Sequence, residues 1–319
     1  MATQLIDEYG RRIRKLRVSL LDACQFRCFY CMPRDARFMS RSHWMSSDEI
    51  EKVCRYLVDF GLEQIRLTGG EPTIRPDFRE IVLRISELPL KKLGLTTNGE
   101  KLHGLLEFLS KTNCKHLNIS LDSLSEENFE KITRPAGARK NVLPGILSAV
   151  FRAKELGFQV KINTVLMKGV NDHELFDFVD FSRKYDIEVR FLEMMKIGEA
   201  CQEQTNLFMP AHQAIETIMQ RETLIPQKVE DDSTSFNFKT QSGAKMGFIA
   251  SESKPFCGGC SRWRLSADGF LRACLMSQEG ISVRNLSLEE YPDVLGRILK
   301  MKPPGRIEQI GQNMNQIGG

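Results

Sequence analysis

The sequence predicts an α/β fold built on a parallel sheet. Two observations carry this. Short β-like runs alternate with helical stretches six times. A repeat of roughly 30 residues is what parallel strands joined by crossover helices require. Residues suited to chemistry also collect just after the strands, where such sheets bind ligands. An open sheet of the flavodoxin type and a partial TIM-like barrel both fit this pattern.

The elements follow in order. Lys15 to Leu21 reads as a strand that ends before a Cys-rich loop. Ser47 to Phe60 reads as a helix, with Ser47 as its expected cap and Ile50, Val53, Cys54, Leu57 and Val58 at helical spacing. A strand at Gln64–Thr68 runs into the turn Gly69-Gly-Glu-Pro72. Phe78–Leu88 is expected as helix, Lys92–Thr97 as strand, Leu102–Ser110 as helix and His116–Leu121 as strand. Val142–Leu156 reads as a helix closing on Gly157. A strand at Gln159–Val165, a helix at Asp172–Tyr185 and a strand at Ile187–Glu193 complete the repeat. After about residue 200 the pattern changes. Met209–Arg221 is one more helix. Thr234–Lys239, Met246–Ala250, Trp263–Ser266 and Phe270–Cys274 read as short antiparallel strands, with Asp268-Gly269 as a hairpin turn. The expected division is a barrel part, 1–200, and a C-terminal extension, 201–319.

Composition limits the function. In 319 residues, 41% are hydrophobic and 27% charged, values ordinary for a globular enzyme-sized chain. The formal charge is only +4, from 45 Lys+Arg against 41 Asp+Glu. So mild a surplus argues against a dedicated nucleic-acid or membrane-surface protein. It leaves room for a local basic pocket around an anion. No apolar run approaches the roughly 20 residues of a membrane span. The N-terminal residues lack the apolar stretch of an export signal, so a cytoplasmic location is expected.

Nine cysteines, an odd number, argue against a disulfide framework. Cys24, Cys28 and Cys31 form a C-x3-C-x2-C loop. Three thiolates are one short of a closed structural zinc or [4Fe–4S] site, and a cluster so held keeps one iron open. A zinc loop completed by a distant residue also fits. Cys257-Gly-Gly-Cys260 with Cys274 makes a second group of three, for which zinc and iron–sulfur fit equally. Cys54, Cys114 and Cys201 are isolated and read as packing residues. Arg17, Arg66 and Lys161 lie inside strands, and a cation on an inward strand position needs an anionic partner. Arg262-Trp-Arg264 puts two guanidiniums beside the second Cys group, a form suited to phosphate. The five histidines fall in no ligand or triad spacing.

These motifs together resemble the radical S-adenosylmethionine (SAM) superfamily. Within it they resemble the GTP 3',8-cyclase (MoaA) family of molybdenum-cofactor biosynthesis. The resemblance is carried by Asp7-Glu-Tyr-Gly-Arg-Arg-Ile-Arg-Lys-Leu-Arg17, Cys28-Phe-Tyr-Cys31-Met-Pro33, Leu67-Thr-Gly-Gly-Glu-Pro72, Thr96-Thr-Asn-Gly99 and Ser120-Leu-Asp122. It continues through Phe256-Cys-Gly-Gly-Cys-Ser-Arg-Trp-Arg264, Cys274-Leu275 and the terminal Gly318-Gly319. The sequence departs from the usual family wording at Leu21, Ala23, Gln25 and Met276, none of them a ligand position.

The resemblance implies a partial barrel of about six βα units with an extension of antiparallel strands. It implies a [4Fe–4S] cluster on Cys24, Cys28 and Cys31 that binds SAM, and a second [4Fe–4S] cluster on Cys257, Cys260 and Cys274 that meets the guanine of GTP. Tyr30, Gly70, Glu71, Ser120 and Met195 would face SAM. Arg17, Arg66, Thr97, Lys161, Arg262, Trp263 and Arg264 would surround GTP, with Arg17, Arg262 and Arg264 nearest the chemistry. Gly318-Gly319 would reach into the site. The implied reaction turns GTP into (8S)-3',8-cyclo-7,8-dihydroguanosine 5'-triphosphate. A flavodoxin- or ferredoxin-like electron donor, cyclic pyranopterin monophosphate synthase as the next enzyme and a homodimer are further expectations, without nucleic-acid or membrane partners. The competing readings are a radical-SAM modifier of a peptide or small molecule and a zinc-knuckle interaction protein.

Overall fold

The computed structural model describes residues 4–135 and 141–317. Six parallel strands come first: β1 Lys15–Ser19, β2 Gln64–Thr68, β3 Lys92–Thr97, β4 Cys114–Ser120, β5 Gln159–Leu166 and β6 Glu188–Glu193. Their crossovers carry α1 Ser47–Asp59, α2 Phe78–Ser86, α3 Leu106–Leu109, α4 Glu126–Thr133, α5 Val142–Glu155 and α6 Leu175–Tyr185. After β6 come α7 Ala200–Leu207 and α8 Ala211–Met219. Six more strands follow: β7 Leu224–Gln227, β8 Phe236–Thr240, β9 Lys245–Ile249, β10 Arg262–Leu265, β11 Phe270–Arg272 and β12 Ile281–Ser282. The chain closes with α9 Tyr291–Lys300 and α10 Met314–Ile317.

Side chains alternate across each strand. Leu16 and Val18 of β1, Ile65 and Leu67 of β2 and Leu93 and Leu95 of β3 are buried against the helices. The helices supply matching stripes, such as Ile50, Val53, Cys54 and Leu57 on α1. The opposite faces of the strands line a lumen. The C-terminal strands pair antiparallel among themselves, β7 with β8 and β8 with β9, and β10 with β11 and β11 with β12. Each set also extends one edge of the parallel sheet, because β9 lies parallel to β6 and β10 parallel to β1. The result is one twelve-stranded sheet, ordered β12-β11-β10-β1-β2-β3-β4-β5-β6-β9-β8-β7, whose outer strands do not meet. This is an incomplete barrel.

Some elements differ from expectation. Helix α1 is capped by Ser46, not Ser47. Ser46 Oγ accepts from the Glu49 amide at 3.1 Å, and Glu49 accepts from the Ser46 amide at 2.7 Å, a complete capping box. Leu102–Ser110 splits into a 3-10 turn at His103–Leu105 and the short α3. Helices α4, α7, α9 and α10 and strands β7 and β12 were not expected. The first of these matters, since it backs the Cys loop. Arg27 and Phe29 amides donate to Thr133 and Ile132 carbonyls at 2.8 and 3.2 Å, and Phe26 meets Phe129 edge-on. No helix among the described residues is long and apolar enough to cross a membrane.

Candidate active site

The first Cys loop leaves β1 and is stitched to the turn after β2. Gly70 and Glu71 amides donate to Leu21 and Ala23 carbonyls at 2.7 and 2.8 Å. A Cβ on Gly70 would lie 2.3 Å from the Ala23 carbonyl oxygen, and one on Gly69 2.5 Å from that of Leu21. Only glycine fits this approach. Asn98 Nδ2 donates to Cys24 Sγ at 3.7 Å. Burial pushes the Cys24 and Cys31 thiols up to about 12 and Cys28 well above its ordinary value. These thiols are neutral until a metal replaces their protons. Tyr30 donates to Asp122 at 2.6 Å. Burial pushes the Asp122 carboxyl up to about 6, although it also accepts from the Val165 amide at 2.8 Å.

The second triad has a different electrostatic setting. Burial works against ionisation of Cys260, but Arg262 and Lys302 outweigh it and bring the thiol down to about 7. Lys302 Nζ donates to Cys260 Sγ at 3.5 Å. All six thiols line a single cavity of about 350 Å³. No three metal-binding side chains among the described residues lie close enough to share a single ion. Three thiols without a fourth protein donor are the donor set of an iron–sulfur cluster with one open iron. Both triads fit such a group.

Below this cavity lies a second of similar volume, about 350 Å³, and the two share Arg17, Asn118, Arg190, Thr234 and Arg262. The lower one is basic. Register explains it: Arg264, Arg17 and Arg66 stand side by side on β10, β1 and β2, and Arg262 stands beside Lys15. Burial and the Arg264, Arg262 and Arg66 charges push Arg17 well below the usual guanidinium range. Arg66 falls to about 10 through burial and Arg190. It lies over Gly94, where a Cβ would come within 3.0 Å of the guanidinium, and donates to the Leu95 carbonyl at 3.1 Å. Glu188 partly balances the cluster, pairing with Lys161 at 2.7 Å and Arg190 at 2.5 Å. Burial opposes its charge, yet those two cations hold its carboxyl below the usual range. Such a cluster, with few carboxylates, is built to receive a polyanion.

The structure brings most expected residues together. Tyr30, Gly70, Thr97, Ser120, Met195, Arg17, Arg262 and Arg264 line the upper cavity with the six cysteines. Arg66 and Lys161 line the lower one. Two residues are corrected. Trp263 is fully buried in the apolar core, because it alternates with Arg262 and Arg264 and so faces away from the lumen. Glu71 does not reach the cavity. Its carboxylate accepts from the Thr73 amide and hydroxyl, the Thr97 hydroxyl and the Asn98 amide, at 2.6–3.1 Å. It ties the turn after β2 to the end of β3. Gly318 and Gly319 lie outside the described residues. Just before them, Met314 and Asn315 line the upper cavity, and Asn315 Nδ2 donates to the Asp22 carbonyl at 3.0 Å.

Several lumen residues were missed, Arg190, Asn118, Asn163 and Asp122, and so was Lys302, which is buried against Cys260 behind the second triad. For Arg190 a signal existed. Arg17, Arg66, Lys161, Arg190 and Arg264 are each the third residue of their strand, after a polar and an apolar one. Lys302 gave none, since it follows a helix distant in sequence.

Residues 18–182 match the Radical SAM superfamily, and residues 187–305 match Molybdenum Cofactor Synthesis C. The chain is similar to the GTP 3',8-cyclase of Synechocystis sp., 48% identical over 319 residues covering 100% of this chain and 96% of the relative. The enzyme of that name from Aquifex aeolicus is 37% identical, covering 88% of each chain. The one from Petrotoga mobilis is 36% identical, covering 99% of this chain and 100% of its own. Among solved structures, Streptococcus suis SuiB bound to S-adenosylmethionine aligns with a TM-score of 0.66 at 15% identity, over 92% of this chain and 69% of SuiB. That likeness is one of fold.

Proposed function

The chain belongs to the GTP 3',8-cyclase family of radical SAM enzymes, and from that premise we propose how its residues divide the work. The enzyme converts GTP to (8S)-3',8-cyclo-7,8-dihydroguanosine 5'-triphosphate, the first step of molybdenum cofactor biosynthesis. The observation that carries the assignment of roles is the lumen itself. Two Cys triads line its upper cavity and a cluster of cations its lower one.

Cys24, Cys28 and Cys31 would hold the cluster that binds SAM, with Tyr30, Gly70, Ser120 and Met195 around the SAM. Cys257, Cys260 and Cys274 would hold a second [4Fe–4S] cluster, which would supply an open iron for the guanine ring. When bound, the first cluster and SAM supply the radical chemistry that takes a hydrogen atom from the 3' carbon of the ribose. Ring closure would then join that carbon to C8 within one substrate molecule, and the radical left on the ring would take one electron from the external reductant and one proton to give the 7,8-dihydro product. The protein's task is to keep those atoms in near-attack geometry and away from water. Arg66, Lys161 and Arg190 would hold the triphosphate from the lower cavity. Arg17 and Arg262, shared by the two cavities, and Arg264 in the upper one would fix the sugar and base. Thr97 lines the site, while its hydroxyl donates to Glu71 at 2.7 Å. The working division is 1–200 for the barrel and first cluster and 201–319 for the second cluster and the Gly318-Gly319 tail. Family membership alone carries the flavodoxin- or ferredoxin-like donor, transfer of product to cyclic pyranopterin monophosphate synthase, the homodimer and a cytoplasmic setting.

The test is 5'-deoxyadenosine formation by anaerobically reconstituted protein with SAM and a strong reductant, with and without GTP. Strong stimulation by GTP, with GTP consumed, is the expected result. SAM cleavage indifferent to GTP would remove the substrate assignment.

A further inference from the structure

We propose that Lys302 is a positioning residue of the second Cys triad, clamping its two arms together and donating a hydrogen bond to Cys260 that sets the reduction potential of the cluster held there. The inference rests on the proposal that this triad carries a cluster.

Lys302 is 3% exposed. An ammonium has three N–H donors, and here each has a partner in the triad's own loops. Nζ donates to Cys260 Sγ at 3.5 Å, to the Arg262 carbonyl at 3.1 Å and to the Ala273 carbonyl at 3.0 Å. Arg262 starts the strand after the Cys257–Cys260 knuckle, and Ala273 precedes Cys274. One cation therefore ties the knuckle to the third ligand, although thirteen residues separate Cys260 from Cys274 in the chain.

The lysine is itself held in place. Arg11 donates to the carbonyls of Lys302 and Pro303 at 3.4 and 2.8 Å and to that of Cys257 at 3.1 Å. Asp7 grips Arg11 at 2.6 Å, and both side chains are almost fully buried. The N-terminal segment, the knuckle and the chain after α9 thus meet at one point.

A buried ammonium needs an anion close by. Lys302 donates directly to Cys260 Sγ, and an iron–sulfur cluster ligated by the triad would be that anion. A charged donor on a ligating sulfur withdraws electron density from it and makes the cluster easier to reduce. The first triad, with no such cation bonded to a thiol among the described residues, would not share that shift.

The experiment uses the full chain with Cys24, Cys28 and Cys31 all changed to Ser, so that only the second triad can hold iron. Iron and sulfide per chain, iron loss to a chelator and the EPR-monitored midpoint potential are compared for Lys302, Lys302→Arg, Lys302→Gln and Lys302→Met. Lys302→Met should lose iron several-fold faster and shift the potential negative. Lys302→Arg should recover most of the potential, and Lys302→Gln less. If Lys302→Met matches the parent in both readouts, or if Arg, Gln and Met are equivalent, the proposal fails. If the triple Ser parent itself holds no iron, the second cluster is wrong and the role of Lys302 falls with it.

Discussion

A single Cβ decides whether Arg66 can lie across the sheet. Gly94 leaves that space, with the His116 carbonyl oxygen 2.9 Å and the guanidinium 3.0 Å from where a Cβ would sit. Gly94→Ala should therefore act through Arg66. It should raise the KM for GTP about tenfold, the size of one misplaced charge-assisted hydrogen bond. Arg66→Ala should do the same, and the double variant should be no worse than the single ones. Additive losses in steady-state assays would separate the two residues. Trp263 makes the contrasting case. Trp263→Phe should lower Tm by a few degrees through lost core packing, yet leave the KM for GTP unchanged. Residue placement was legible where spacing carried it, since the six cysteines grouped as two triads all line one cavity. It was misread where a motif hid the strand's alternation, as at Trp263, and where a carboxylate beside the glycines turned inward, as at Glu71.

At the scale of the element, the site depends on loops that bind one another's backbone. Gly70→Ala would drive a methyl into the Ala23 carbonyl and spread the loop that carries Cys24. That variant should retain about half the iron of the parent, because the second triad draws on different elements, and should lose SAM cleavage. Full iron content in the purified variant would show that the loop tolerates the displacement. The segment before β8 is held by Asp232, which pairs with Lys15 at 2.7 Å and Arg14 at 2.8 Å and accepts from the Ser261 hydroxyl. Burial works against its charge, but these groups hold its carboxyl at about 2, below the ordinary 3.8. Since the folded value lies below the unfolded one, this stabilisation is complete above about pH 4 and disappears as pH falls toward 2. Asp232→Asn should lower Tm at pH 7, with the difference shrinking through that acid window; a constant difference would exclude the ion pairs as its origin. The strand–helix repeat was legible because period and turns agree. The short α4 was not, since Glu126–Thr133 carries only one turn's worth of apolar positions and is stabilised by the Cys loop it supports.

Across the whole molecule, charge is concentrated and not large. The chain carries only +4, yet the lower cavity is lined by Lys15, Arg17, Arg66, Lys92, Lys161, Arg190, Lys228 and Arg262 against Glu230 and Asp232. Net charge could not reveal this; only the pairing of strands from both ends of the chain in one sheet assembles it. β10, from the C-terminal part, sets Arg262 and Arg264 beside Lys15 and Arg17 of β1. The polyanion reading then has a definite consequence. Cations in a partly enclosed lumen should contribute affinity in proportion to the phosphates they meet, and salt should weaken that contribution. Substrate affinity should fall in the order GTP, GDP, GMP, guanosine. Raising NaCl from about 0.05 to 0.5 M, which shortens the screening length roughly threefold, should raise the KM for GTP far more than that for SAM, whose cavity carries the thiols. Glu188→Gln frees Lys161 and Arg190 from their carboxylate, so it should tighten GTP binding while making it more salt-sensitive. Binding that is equal for GTP and guanosine, or a salt response shared equally by SAM, would mean that the basic lumen serves some other purpose than holding the triphosphate.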